Sequence, residues 1–208
     1  MSDTAIRPET GTGHAAGDAM TAARKAMIDS QLRTSGVNED YVLRRMKAVP
    51  REDFVPASAR ATAYVDRAIP LGEGKWLAAP LVHGKMLEEA APTGHESVLV
   101  VDGGSGYLPE LIRPLVASIE VMSAEDALGK SRKGDFDLIL VDGAVEHVPD
   151  TLSKRLAEGG RIVTGLVARG VTRLAVGRKS GKGVALLPVL ELGIPVLHQF
   201  DAPKGWSF

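Results

Sequence analysis

Apolar positions follow two periods that alternate along the chain. From Met20 the spacing is helical, with Met20, Ala23, Met27, Ile28 and Leu32 on one face and Gly36 where a C-cap glycine belongs. A second helix, capped by Asn38 or Asp40, carries the stripe Val42, Leu43, Met46 and Val49 and is stopped by Pro50. From Phe54 to Ala79 no period holds, with Gly72 and Gly74 as hinges; an irregular stretch of this length is functional or disordered. Pro80 opens a helix bearing Leu81, Val82, Met86 and Leu87. The run Val98 to Val101 then enters Asp102-Gly103-Gly104-Ser105-Gly106-Tyr107, which reads as a buried strand turning into a helix. Pro109 is tolerated in that helix's first turn, but Pro114 removes a backbone hydrogen bond at a cost of ~3 kcal/mol, so the helix is short or bent. Ser118–Met122 and Asp137–Val141 read as strands. Val148-Pro149 leads a helix with Leu152 and Leu156, closed by Gly159-Gly160. Arg161–Val163 is a further strand, and Val171–Gly177 and Val184–Leu192 form an antiparallel edge. Strands alternating with helices and ending in a β-rich tail predict an α/β sheet with a mixed edge.

In such sheets ligands lie beyond the carboxyl ends of the parallel strands, where glycines admit the backbone and free N–H groups point outward. The glycine turn at 103–106 is therefore the candidate ligand loop. Residues 1–19 show no apolar period and are expected to be a disordered tail, leaving 20–208 as one domain. With 208 residues, 44% of them hydrophobic, the chain can bury one sizeable core. A net charge of -1 gives no reason to invoke nucleic acid or a charged membrane surface. Zero cysteines exclude a disulfide framework and a thiolate nucleophile, and the five histidines are scattered without ligand spacing, so no metal is expected. No apolar run reaches membrane-span length and the N-terminus lacks a signal pattern, which points to a cytoplasmic protein.

Five segments, in this order and spacing, carry a resemblance. They are Met27-Ile-Asp-Ser-Gln-Leu-Arg33; Val49-Pro-Arg-Glu-Asp-Phe-Val-Pro56; Ala63-Tyr-Val-Asp66 with Ile69-Pro-Leu-Gly72; the glycine loop; and Asp142-Gly-Ala-Val-Glu-His-Val-Pro149 followed by Gly159-Gly-Arg-Ile-Val163. From about Ala22 to Leu166 the chain resembles the protein-L-isoaspartate O-methyltransferases, and its ending, with Phe200 and Trp206-Ser-Phe208, resembles an alphaproteobacterial branch of them. The resemblance implies a Rossmann-like fold, S-adenosylmethionine as cofactor, isoaspartyl-containing proteins or peptides as substrate, and a monomer. It places the cofactor on Asp102, Gly103, Gly104, Ser105, Gly106, Tyr107, Glu125, Gly143 and Ala144. It places the substrate on Tyr64, Asp66, Leu77, Ala78, Ala79 and Pro80. Structural roles stand beside these: the glycines can simply shape a turn, Tyr64 can be core, and Asp66 can be a loop turn residue.

Three departures from the family pattern bear on activity. The loop pattern, acid-Ile-Gly-x-Gly-x-Gly-Tyr, meets Val100 at the acid and Asp102 at the first glycine, where a carboxylate either crowds the cofactor, the favoured expectation, or binds its α-ammonium group. The family's substrate serine falls on Ala78, which leaves no certain catalytic residue. Between Gly106 and Asp137 there is no room for two strand–helix units, since a crossover needs about a dozen residues and a strand about five. One unit is expected to be missing, and aligning Ser118–Met122 with the third strand leaves the acid that holds the ribose hydroxyls without a counterpart. Glu125 or Asp126 then lies near the adenine, and Glu120 is a poor substitute because it sits mid-strand. Two readings follow: a methyltransferase of weakened or lost activity, or a non-catalytic paralogue that binds protein or peptide.

Overall fold

The computed structural model describes residues 12–129, 134–181 and 183–202. In chain order the elements are α1 (Thr12–Met27), α2 (Asp40–Ala48), β1 (Ile69–Gly72), β2 (Lys75–Leu77), α3 (Pro80–Ala90), β3 (Ser97–Asp102), α4 (Tyr107–Ile112), β4 (Ser118–Ser123), α5 (Ala124–Leu128), β5 (Phe136–Val145), α6 (Asp150–Ser153), β6 (Leu156–Ala168), β7 (Val171–Ser180) and β8 (Gly183–Glu191). Six strands form one sheet in the order β4-β3-β5-β6-β7-β8, and β1 and β2 form a separate hairpin. The strands from β4 to β6 run parallel, whereas β7 and β8 add antiparallel at the far edge. The apolar runs are continuous because their strands are covered on both faces. Period two sends Val98, Val100, Leu138 and Leu140 into the layer with α1 to α4, and Leu99, Val101, Ile139 and Val141 into the layer with α5, α6 and Phe200.

The interval from Gly106 to Asp137 holds α4, β4 and α5, with a single strand among the described residues. That strand pairs directly with β3, Val100 against Val121 and Asp102 against Ser123. β4 therefore takes the second-strand place of a doubly wound sheet, not the third-strand place expected from the alignment. The physical reason is that β3 has an open edge, and the next strand in the chain closes it. Pro114 falls in a 3-10 turn (Arg113–Leu115) directly after α4, so the helix is short as expected.

Four expectations need correction. Helix α1 begins at Thr12, ahead of the apolar stripe, while residues 1–11 lie outside the described residues, as do Trp206 and Phe208. Residues 17–19 of α1 are exposed, so this part of the helix forms without adding to the core. The irregular stretch is ordered by 3-10 turns and by the β1–β2 hairpin, whose turn is set by positive φ at Gly72, Glu73 and Gly74. Neither Asn38 nor Asp40 caps α2; the Glu88 carboxylate accepts from the N–H groups of Asn38 and Glu39 instead, at 2.8 and 3.3 Å. Helix α6 is a single turn and Leu156 opens β6, since Leu156 pairs with Phe136 and fills the second core layer as a strand residue.

Leu140 is fully buried in the middle of β5. Leu140→Ala is expected to lower unfolding free energy by about 2–5 kcal/mol, the usual cost of a core truncation, with the fold kept. Urea denaturation measures it, and a loss below about 1 kcal/mol would mean that the layer collapses around the gap.

Candidate functional site

A cavity of about 450 Å³ opens at the carboxyl ends of β3 and β4. Its walls come from Asp102, Gly103 and Gly104 of the loop, the stretch Val121 to Asp126, Glu73 and Lys75 of the hairpin, and Leu197 and Gln199. This is where a doubly wound sheet places a ligand, and the volume lies within the range of about 300–1,000 Å³ usual for small-molecule sites. Gly103 must be glycine, because a Cβ there would lie 2.3 Å from the backbone oxygen of Asp142. The hairpin closes over the loop from the other side. The Trp76 N–H points at the Gly103 carbonyl at 3.4 Å, and a Cβ on Gly104 would meet the Lys75 stem at 2.5 Å.

Asp102 does not leave the loop's donors free. Its carboxylate accepts from the N–H of Gly104 at 3.1 Å and from that of Gly106 at 3.0 Å, so these two donors already hold a carboxylate. Burial, and then the neighbouring Asp142, push its carboxyl above the usual range. The Asp102 side chain is thus seated in its own loop.

Beneath the loop lies a buried polar chain. Arg51, His83 and Asp142 are all shielded from solvent. Arg51 donates from Nε to the Ala63 carbonyl at 2.7 Å, from Nη2 to the Ala78 carbonyl, and from Nη1 toward His83 Nδ1 at 3.4 Å. A guanidinium can only donate, so His83 Nδ1 is the acceptor and its Nε2–H donates to Asp142 Oδ1 at 3.0 Å. Burial lowers the Arg51 pKa to about 10. The Tyr107 ring stands edge-on to Phe54 and His83, each with centroids 5.2 Å apart, and 5.3 Å from the Arg51 guanidinium. Burial pushes the Tyr107 phenol up to about 12.

Of the cofactor residues expected from sequence, Asp102, Gly103, Gly104 and Glu125 line the cavity. Ser105 turns its Oγ to the Tyr107 N–H at 3.1 Å, Gly106 is held by Asp102, and Tyr107 is wholly buried. Gly143 and Ala144 are covered by the chain's later segment: a Cβ on Gly143 would lie 2.5 Å from the Leu197 side chain, and Ala144 exchanges backbone hydrogen bonds with Pro195 and Leu197. Among the substrate residues, Tyr64 sits in the interior, donating its hydroxyl to Glu52 and accepting from Arg24 Nε at 2.7 Å. Asp66 is exposed and accepts from the Leu81 N–H at 3.1 Å, in the first turn of α3. Leu77, Ala78, Ala79 and Pro80 turn buried side chains inward. Glu120 lies mid-strand and pairs with Arg155, away from the cavity. Sequence reasoning missed Lys75, Glu73, Ser123 and Gln199, which only the hairpin fold and the β4 register bring to the cavity.

The family model for protein-L-isoaspartate(D-aspartate) O-methyltransferase matches residues 22–127 and 110–191. The chain belongs to this family. The two matches overlap at 110–127, the stretch holding β4. A Koribacter versatilis protein-L-isoaspartate O-methyltransferase is 33% identical over 75% of this chain and 82% of its own length. One from Methanoculleus marisnigri is 29% identical over 88% and 94%. A solved structure titled protein-L-isoaspartate O-methyltransferase shares the fold at a TM-score of 0.69 and 18% identity, over 84% of this chain and 65% of that one. A Plasmodium falciparum structure assigned to the same enzyme, in complex with S-adenosyl-L-homocysteine, gives 0.66 at 16% identity over 85% and 98%.

Because Asp102 has its carboxyl pKa raised above the ordinary 3.8, ionising it opposes folding. Between that value and the raised folded one the native state binds more protons, so its contribution to stability falls as pH rises through the window and is constant above it. Asp102→Asn removes this titration. Stability of the parent relative to the variant is expected to decline as pH rises from about 4; parallel urea-denaturation curves across pH would reject it.

Proposed function

We propose that this protein transfers the methyl group of S-adenosylmethionine to isoaspartyl carboxylates in damaged proteins, with cofactor binding weakened by its own loop. The observation that carries the reading is the family match over 22–191 combined with a cavity built on the family's glycine loop. The residues present suit the cofactor: Val121, Met122 and Leu197 offer an apolar wall for a base, and four carboxylates (Glu73, Asp102, Glu125 and Asp126) favour a ligand with cationic centres. Bound there, S-adenosylmethionine supplies a sulfonium methyl, whose carbon bonds to a carboxylate oxygen while the carbon–sulfur pair goes to sulfur.

A carboxylate is already a nucleophile and a sulfonium already a leaving group, so the protein's part is positioning and exclusion of water. Arg51 holds the Ala78 carbonyl, and through His83 and Asp142 it ties the Leu77–Pro80 segment to the floor of the glycine loop. Ala78 offers no hydroxyl to the reacting groups, a loss worth about 1–3 kcal/mol of the barrier. With β4 in the second-strand place, Glu125 just beyond its carboxyl end offers a carboxylate to the ribose diol, so the weakening of the cofactor site rests on Asp102.

The non-catalytic alternative is favoured by one feature, the Asp102 carboxylate seated on Gly104 and Gly106. We read the protein as a cytoplasmic monomer acting without nucleic acid or membrane; no described helix is long and apolar enough to cross a bilayer. Calorimetric titration with S-adenosylmethionine, alongside methyl incorporation into an isoaspartyl peptide against its aspartyl twin, separates the readings. Weak binding with turnover confined to the isoaspartyl peptide is expected, and saturation at low micromolar cofactor would overturn the account of a weakened site. Asp102→Gly frees two loop donors and is expected to tighten cofactor binding about tenfold, the worth of one added hydrogen bond. Weaker binding in that variant would show the carboxylate to be a cofactor contact.

A further inference from the structure

With the N–H groups of Gly104 and Gly106 taken by Asp102, the carboxylate end of an amino-acid-bearing ligand gains from another partner in the cavity. Among the residues lining it, Lys75 is the single cation, set among Glu73, Asp102, Glu125 and Asp126. Its stem rests on Gly104, where any side chain would collide with Lys75 Cβ, Cγ and Cδ at 2.5–2.8 Å. That contact, with β2 pinned by the Trp76 N–H to Gly103, fixes where the ammonium can reach. Among the described residues the Lys75 ammonium is held only by Glu73 Oε2 at 3.2 Å, and both side chains are more than half exposed, so the pair is weak and exchangeable.

We propose that Lys75 is the specificity-determining residue for the α-carboxylate of the methionine part of the cofactor, taking over the anion-binding duty that Asp102 has withdrawn from the glycine loop. This rests on the cofactor reading above and adds a residue to it. The chemistry is a lysine ammonium exchanging one solvent-screened carboxylate for another that is brought into the cavity, where fewer waters compete and the pair is stronger. The neighbouring carboxylates leave a ligand's α-ammonium with partners of its own, so an amino-acid zwitterion fits this end of the cavity better than a simple anion.

Two ligands separate the proposal from the reading it rests on. S-adenosylhomocysteine carries the α-carboxylate, whereas 5′-methylthioadenosine has the same adenosyl thioether without it. By calorimetry, Lys75→Gln is expected to weaken S-adenosylhomocysteine about tenfold and to leave methylthioadenosine within about twofold, with Lys75→Arg close to the parent for both. In the Asp102→Gly background, where the loop N–H groups are free, the Lys75→Gln effect shrinks, as coupled sites require. Equal losses for both ligands, or no loss for S-adenosylhomocysteine, overturn the assignment to Lys75 while the cofactor reading stands. Failure of the parent to bind either ligand overturns both.

Discussion

A guanidinium without exposed surface sets the terms for the rest of the molecule. A charge in the interior is tolerated only when its polar atoms find partners and a counter-charge stands within reach. Arg51 meets both demands by drawing on distant parts of the chain: two backbone carbonyls, at Ala63 and Ala78, and then His83 backed by Asp142. The turn after α2, the end of the hairpin, α3 and the tip of β5 are therefore registered against one another through a single buried ion. Tyr107 fills the remaining space against that group, and its position at the start of α4 carries the registration into the glycine loop.

Much of this was legible in sequence, for reasons that differ from element to element. Helices α2 and α3 were readable because an apolar stripe and a proline each left a local mark, and β3 and β5 because strands covered on both faces must be apolar throughout. The hairpin was not readable: Lys75-Trp76-Leu77 has no alternation long enough to signal a strand, and it is ordered by contacts with a loop nearly thirty residues away. Leu156 shows the opposite failure, a helical spacing with Leu152 that tertiary packing converts into the start of a strand. Asp102, Gly103, Gly104 and Glu125 lie at the cavity, as a strand running into a glycine turn suggests, whereas Gly143 and Ala144 lie under residues 195–197, a cover that nothing local announces.

The substitutions around the loop act together. Val100 puts an apolar side chain in the first core layer where the family carries an acid, and the carboxylate reappears two residues later on the same strand, at Asp102. The consequence is a change of sign within the loop: donors that would face outward are turned in on the protein's own side chain. His83, for its part, behaves as a satisfied core histidine. Its tautomer is dictated by neighbours on both sides, which leaves it no proton to offer a ligand.

One strand also answers to two demands. Among the described residues β4 pairs only with β3, so its outer backbone is a bare margin, and the same strand supplies Val121 and Met122 to the cavity. Val121 is 43% exposed there. A small molecule resting on that wall would cover apolar surface beside an unpaired strand edge, so the cavity and the sheet's open margin meet on one strand.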